Sequence, residues 1–199
     1  MNFRSYFPLA NILTFSRLLL TLPFIYFFHT KMMFLACVIF GLASLTDYFD
    51  GIVARRQGVT SFGSFMDSVV DKILIGAALI SLYLYQNENL LENETLIPMW
   101  MVIVILGREV LVTLFRSIVV AKRGEVISAN RWGKYKTTSQ VIVIFICLLL
   151  LMLMTDSHFV IQQFGPIYFL MFIPLILTVA SGLEIIIGNS SSLLTKQSD

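Results

Sequence analysis

The stretch Asp47-Tyr48-Phe49-Asp50-Gly51-Ile52-Val53-Ala54-Arg55, followed after seven residues by Gly63-Ser64-Phe65-Met66-Asp67-Ser68-Val69-Val70-Asp71-Lys72, decides how the chain is read. Four carboxylates stand between two long apolar runs. Asp47 and Asp50 are three apart and Asp67 and Asp71 four apart, so on helices each pair shares a face. Gly51, Ala54 and Arg55 fall on the face of the first pair, which therefore carries acids, small residues and one guanidinium. The polar segment between Arg55 and Gly63 predicts a turn between two antiparallel helices, with the acid pairs facing each other across it. Four such charges repel and are costly in an apolar setting. Hard divalent cations remove that cost, because they take oxygen ligands and leave positions for substrate phosphates. The alternative reading is four solvated charges at helix ends.

Working outward, 57% of the 199 residues are hydrophobic and the mean hydropathy is +0.85, too apolar for a solvated domain. The runs predict spanning helices, because lipid offers no partner to open backbone groups. Spans are expected at about 9–28, 32–56, 62–85, 97–121, 137–155 and 160–188, with Pro166 and Pro174 as kinks in the last. Residues 1–8 read as an interfacial segment, 9–188 as one membrane-embedded catalytic domain, and 189–199 as a flexible tail. The expected class is all-α, a polytopic membrane protein with six transmembrane helices. Six spans place both termini on one side. Arg4, Arg55, Arg56, Lys122, Arg123, Arg131, Lys134, Lys136 and Lys196 fall on that side, and Lys31 and the acidic 86–96 loop opposite. The termini, the acids and the basic 122–136 segment are therefore expected in the cytoplasm.

Cys37 and Cys147 lie singly in apolar runs and read as packed thiols. His29 and His158 fall away from the acids and receive no chemistry. Asn11, Thr14 and Arg17 recur at helical spacing near the start of the first span. They read either as a cap with a snorkelling arginine or as a polar rim for an anionic ligand. A second constellation lies in the fourth span and after it. Arg116, Lys134 and Lys136 suit interface anchors or a phosphate pocket. Arg108 is too deep in its span to be an anchor, and a buried arginine needs a partner. Glu109 is expected to pair with a basic group.

The Asp47–Asp71 stretch resembles the signature of the CDP-alcohol phosphotransferases, with every fixed position filled. Asn11-x-x-Thr14-x-x-Arg17 resembles the start of the first helix in that family. Gly107-Arg108-Glu109, Arg116 and Gly133-Lys134-Tyr135-Lys136-Thr137 with Gln140 resemble its bacterial phosphatidylglycerophosphate synthases. Ser68 stands where those synthases usually carry Pro. The resemblance covers about residues 8–145 and implies the CDP-alcohol phosphotransferase fold. It implies transfer of a phosphatidyl group from CDP-diacylglycerol to sn-glycerol 3-phosphate, giving phosphatidylglycerophosphate and CMP. It implies two Mg²⁺ or Mn²⁺ ions held by Asp47, Asp50, Asp67 and Asp71, with Asp71 also the general base. Asn11, Thr14, Gly51, Arg55 and Thr60 or Ser61 would meet CDP-diacylglycerol. Arg108, Arg116, Lys134 and Lys136 would meet the glycerol phosphate. A homodimer among the lipids of a bacterial inner membrane follows from the same resemblance, with no nucleic-acid partner. Other acceptors, such as serine, inositol phosphate or phosphatidylglycerol, are rival readings, as are a membrane prenyltransferase and an ion transporter. The basic set favours a phosphorylated acceptor, and acids around one turn rather than at mid-span disfavour the transporter.

Overall fold

The structure is a computed structural model, and it describes residues 9–57, 61–85, 95–123, 131–154 and 164–194. All regular structure among these residues is α-helical. The long helices are α1 (Leu9–His29), α2 (Met33–Gln57), α3 (Ser61–Tyr83), α4 (Met99–Arg123), α5 (Arg131–Leu153) and α7 (Phe172–Leu194), and α6 (Pro166–Leu170) is a single short turn of helix. The expected interfacial segment 1–8 lies outside the described residues. The segments Tyr135–Leu153 and Pro166–Ile185 are long and apolar enough to cross a membrane, with mean hydropathies of 2.1 and 2.0.

The helices pack around α1 and α5. The first lies against both α2 and α3, while α5 lies against α2 and α7, and α4 closes on α7 and α3. An aromatic cluster fills the end of the bundle away from the acids. Phe24 stacks at a tilt on Phe40 at 5.6 Å, and Phe28 meets Tyr85 edge-on at 5.8 Å. Such pairs contribute about 0.5–1.5 kcal/mol beyond burial. The exterior is apolar as well: Leu19 and Leu22 of α1, Phe34 of α2, Leu111 of α4 and Ile176 of α7 are exposed. An outer face of this kind fits hydrocarbon rather than water.

The link after α1 is a Schellman-type cap. Lys31, at φ 60°, donates its N–H to Phe28 O at 3.1 Å, and Met32 donates to Phe27 O at 2.9 Å. The chain thus reverses within three residues, as the tight His29-Thr30-Lys31 connection predicts.

Three expectations are corrected. The last span is interrupted rather than kinked: Pro166 begins α6, Met171 separates it from α7, and Pro174 sits in the first turn of α7. Both prolines occupy first-turn positions, where a missing N–H breaks no helical bond. The fifth helix starts at Arg131, six residues ahead of the expected span, so Lys134 and Lys136 are helical. Finally, α7 continues through Leu194 into the segment expected as a tail. Leu193 and Leu194 repeat the positions of Ile186 and Ile187 two turns on, which prolongs the apolar periodicity.

Candidate functional site

The acid pairs stand on consecutive helices. Asp47 and Asp50 are in the second half of α2, and Asp67 and Asp71 in the first half of α3. Thr60, and the side chains of Asn11, Thr14, Asp47, Asp50, Arg55, Ser61, Asp67, Arg116 and Lys134, lie outside the described residues. The expected apposition of the two pairs lies there too. Among the described residues no three His, Cys, Asp or Glu stand together.

Asp71 is described, and it stands at a junction. Its carboxylate accepts a hydrogen bond from Arg17 Nη1 of α1 and forms an ion pair with it. Arg17 is 0% exposed and Asp71 38% exposed. Arg17 therefore does not snorkel: α1 carries it inside the bundle, where the carboxylate offsets the cost of burying the guanidinium.

Two cavities share Asp71, Ile75 and Thr137. One, of about 250 Å³, runs between α2, α3 and α5 and adds Ser44, Thr138, Leu74, Val141 and Ile142. Its polar groups accompany an apolar lining. The other, of about 130 Å³, adds Lys72, Leu106, Glu109 and Gln140. One carboxylate thus borders an apolar cleft and a polar pocket.

The polar pocket joins the second constellation to the acids. Glu109 forms an ion pair with Lys136 of α5, and Arg108 Nη1 lies 4.0 Å from the same Glu109 oxygen. The expected basic partner of Glu109 is therefore Lys136. Lys136 is 3% exposed, so it is no surface anchor. Arg108 turns toward α7, where its Nη2 donates to Ser181 Oγ at 2.5 Å. Beside it, Gln140 Nε2 donates to Thr178 Oγ1 at 3.2 Å. Hydroxyls next to the charged residues bond to backbone: Thr21 to Arg17 O, Thr113 to Glu109 O and Ser139 to Lys136 O. Those hydroxyls are thereby satisfied within their own helices.

Sequence reasoning expected the last span but assigned no site residue to α7. Thr178 and Ser181, three apart in an apolar helix, share a face and are both buried. Small residues and hydroxyls on one face of a membrane helix favour close packing and hydrogen bonds to neighbouring helices. Lys72 on the pocket wall was not singled out either; it adjoins Asp71 in sequence, which was the available signal. The thiols of Cys37 and Cys147 are buried and free, as expected.

The family model for CDP-alcohol phosphatidyltransferase matches residues 7–184. The chain is 38% identical over 159 residues to a CDP-diacylglycerol–glycerol-3-phosphate 3-phosphatidyltransferase of Bacillus subtilis (strain 168), covering 79% of this chain and 75% of that one. It is 36% identical over 187 residues to a probable phosphatidylglycerophosphate synthase of Mycobacterium tuberculosis (strain ATCC 25618 / H37Rv), covering 88% and 78%. It is 33% identical over 145 residues to a CDP-diacylglycerol–glycerol-3-phosphate 3-phosphatidyltransferase of Rickettsia typhi (strain ATCC VR-144 / Wilmington), covering 71% and 76%.

Proposed function

The chain belongs to the CDP-alcohol phosphatidyltransferase family, and on that premise we propose that it transfers the phosphatidyl group of CDP-diacylglycerol to sn-glycerol 3-phosphate. The products are phosphatidylglycerophosphate and CMP. Relatives carrying that activity in their names support the acceptor. The observation that carries the reading is the polar pocket: Asp71 and Glu109 line one cavity, and Glu109 gathers Lys136 and Arg108. Asp71 and Lys72 thus line one small space, and Arg108 and Lys136 adjoin it through Glu109, which suits an alcohol that bears a phosphate.

The four acids form an all-oxygen donor set on two consecutive helices, a fit for hard divalent cations. Asp47, Asp50, Asp67 and Asp71 would hold two Mg²⁺ or Mn²⁺ ions. Bound there, such ions offset pyrophosphate charge and favour departure of CMP. Asp71 takes the proton of the acceptor hydroxyl. The freed oxygen bonds to the phosphatidyl phosphorus as the phosphorus–oxygen bond to CMP breaks. Arg17 holds the Asp71 carboxylate in place for that step. Arg108 and Lys136, with Arg116 and Lys134, bind and orient the acceptor phosphate. Asn11, Thr14, Gly51, Arg55 and Thr60 or Ser61 bind the nucleotide end of the donor. The apolar cleft on the other side of Asp71 suits the lipid end.

Six spans, with the site and both termini on the cytoplasmic face of a bacterial inner membrane, and a homodimeric assembly belong to the same proposal. The positive-inside distribution supports the orientation. The test is purified protein with CDP-diacylglycerol, a divalent cation and a panel of acceptors, followed by lipid mass spectrometry. Phosphatidylglycerophosphate from glycerol 3-phosphate is the expected product. Turnover of serine, inositol phosphate or phosphatidylglycerol instead would overturn the acceptor assignment.

A further inference from the structure

We infer that Ser181 and Gly182 of α7 are positioning residues for Arg108, and through it for the phosphate of the acceptor; the inference rests on the acceptor reading above. A guanidinium is a planar fork, and its value in phosphate recognition depends on the direction in which the fork points. The Arg108 side chain is long and flexible, so its own helix does not fix that direction. Two neighbouring residues on α7 do. Ser181 Oγ accepts from Nη2, which pins one prong. Ser181 is itself 1% exposed and donates back to Thr178 O at 3.4 Å, so the hydroxyl is not free to follow the arginine.

Gly182 supplies the room. A Cβ at that position would lie 3.0 Å from Arg108 Nε and 3.3 Å from its Cγ. These atoms are in the middle of the side chain, so the arginine could not escape by swinging its tip and would have to re-seat along its whole length. The contrast with Gly107 is informative. That glycine adjoins Arg108 in sequence, yet a Cβ there would meet nothing within 4 Å. The glycine that Arg108 needs is on the other helix. α7 thus does more than add an apolar layer: it holds the Nη2 end of the arginine on Ser181, while Nη1 stays 4.0 Å from Glu109, which lines the pocket shared with Asp71.

A double-mutant cycle tests this. Kinetics are measured for the full-length wild type, Ser181→Ala, Arg108→Ala and the double variant, varying each substrate in turn. Loss of a hydrogen bond to a charged group predicts that Ser181→Ala raises KM for glycerol 3-phosphate about tenfold. KM for CDP-diacylglycerol should be unchanged. In the Arg108→Ala background Ser181→Ala should add nothing, because the group it aims is gone. Gly182→Ala should raise the same KM; if that variant does not fold, the Ser181 cycle decides alone. Effects of Ser181→Ala that add to those of Arg108→Ala, or that fall equally on both substrates, would show a general packing role and overturn the inference. So would an unchanged acceptor KM. Wild-type turnover of glycerol 3-phosphate reads the acceptor assignment separately, so the two failures are told apart.

Discussion

Arg17 and Asp71 are 54 residues apart in sequence and joined by an ion pair across α1 and α3, with the guanidinium wholly buried and the carboxylate partly open. That asymmetry makes a prediction. Taking away one member of a buried pair costs about 3–5 kcal/mol when the remaining charge is dry. Asp71→Ala removes this partner from a guanidinium that water does not reach. Arg17→Met leaves a carboxylate that water does reach. In cation-free protein, Asp71→Ala should therefore lower the unfolding temperature more than Arg17→Met. The reverse order in detergent-solubilised unfolding would mean that the pair is not the main support of Arg17.

The metal assignment predicts a shared loss. Asp47→Asn or Asp67→Asn should abolish turnover and remove most of the rise in unfolding temperature on adding Mg²⁺. Each substitution deletes one anionic oxygen ligand while keeping side-chain size. Near wild-type turnover at low Mg²⁺ in either variant would contradict the assignment.

Asp71 and Arg108 should fail in different ways. A positioned general base contributes about 10²–10⁴-fold, so Asp71→Asn should lower kcat by that order while CDP-diacylglycerol still binds. Arg108→Ala should mainly raise KM for glycerol 3-phosphate, since it removes a charge-assisted bond to the acceptor. Steady-state kinetics on both variants check the split. An effect of Asp71→Asn confined to the KM for CDP-diacylglycerol would remove its role as base.

Orientation can be read by labelling. Cysteines introduced in 86–96 should react with impermeant maleimides on intact cells, and those in 122–130 should not. The natural Cys37 and Cys147 are buried, so background labelling should be low. The opposite pattern would invert the topology.

Helix positions were largely legible in the sequence because apolar runs, bounded by charges and turns, determine them directly. α1 to α4 begin and end within about two residues of the expected spans, the usual uncertainty of helix ends. The start of α5 was hidden, because a basic segment looks like a loop until its helical register is seen against α4 and α7. The break at Met171 was hidden as well, because Pro166 and Pro174 mark helix starts and mid-helix kinks alike. In the site, the acid pairs and Arg108 stood out because charges in apolar runs are rare. Partners did not stand out. Nothing local in the sequence joins Arg17 to Asp71, Glu109 to Lys136 or Arg108 to Ser181, because packing between distant helices decides each pairing. Ser181 and Gly182 were least legible of all, since a hydroxyl and an absent side chain carry no chemical signature until an arginine is found against them.

The most direct measurement of the proposed activity follows both products in one reaction. Purified protein is mixed with CDP-diacylglycerol, Mg²⁺ and isotopically labelled glycerol 3-phosphate, and CMP in water and label in lipid are counted together. Equimolar CMP and lipid-bound label, both abolished by EDTA, is the predicted result. CMP released without label entering lipid would mean hydrolysis, and no CMP at all in the presence of the cation would mean that this chain does not transfer a phosphatidyl group to glycerol 3-phosphate.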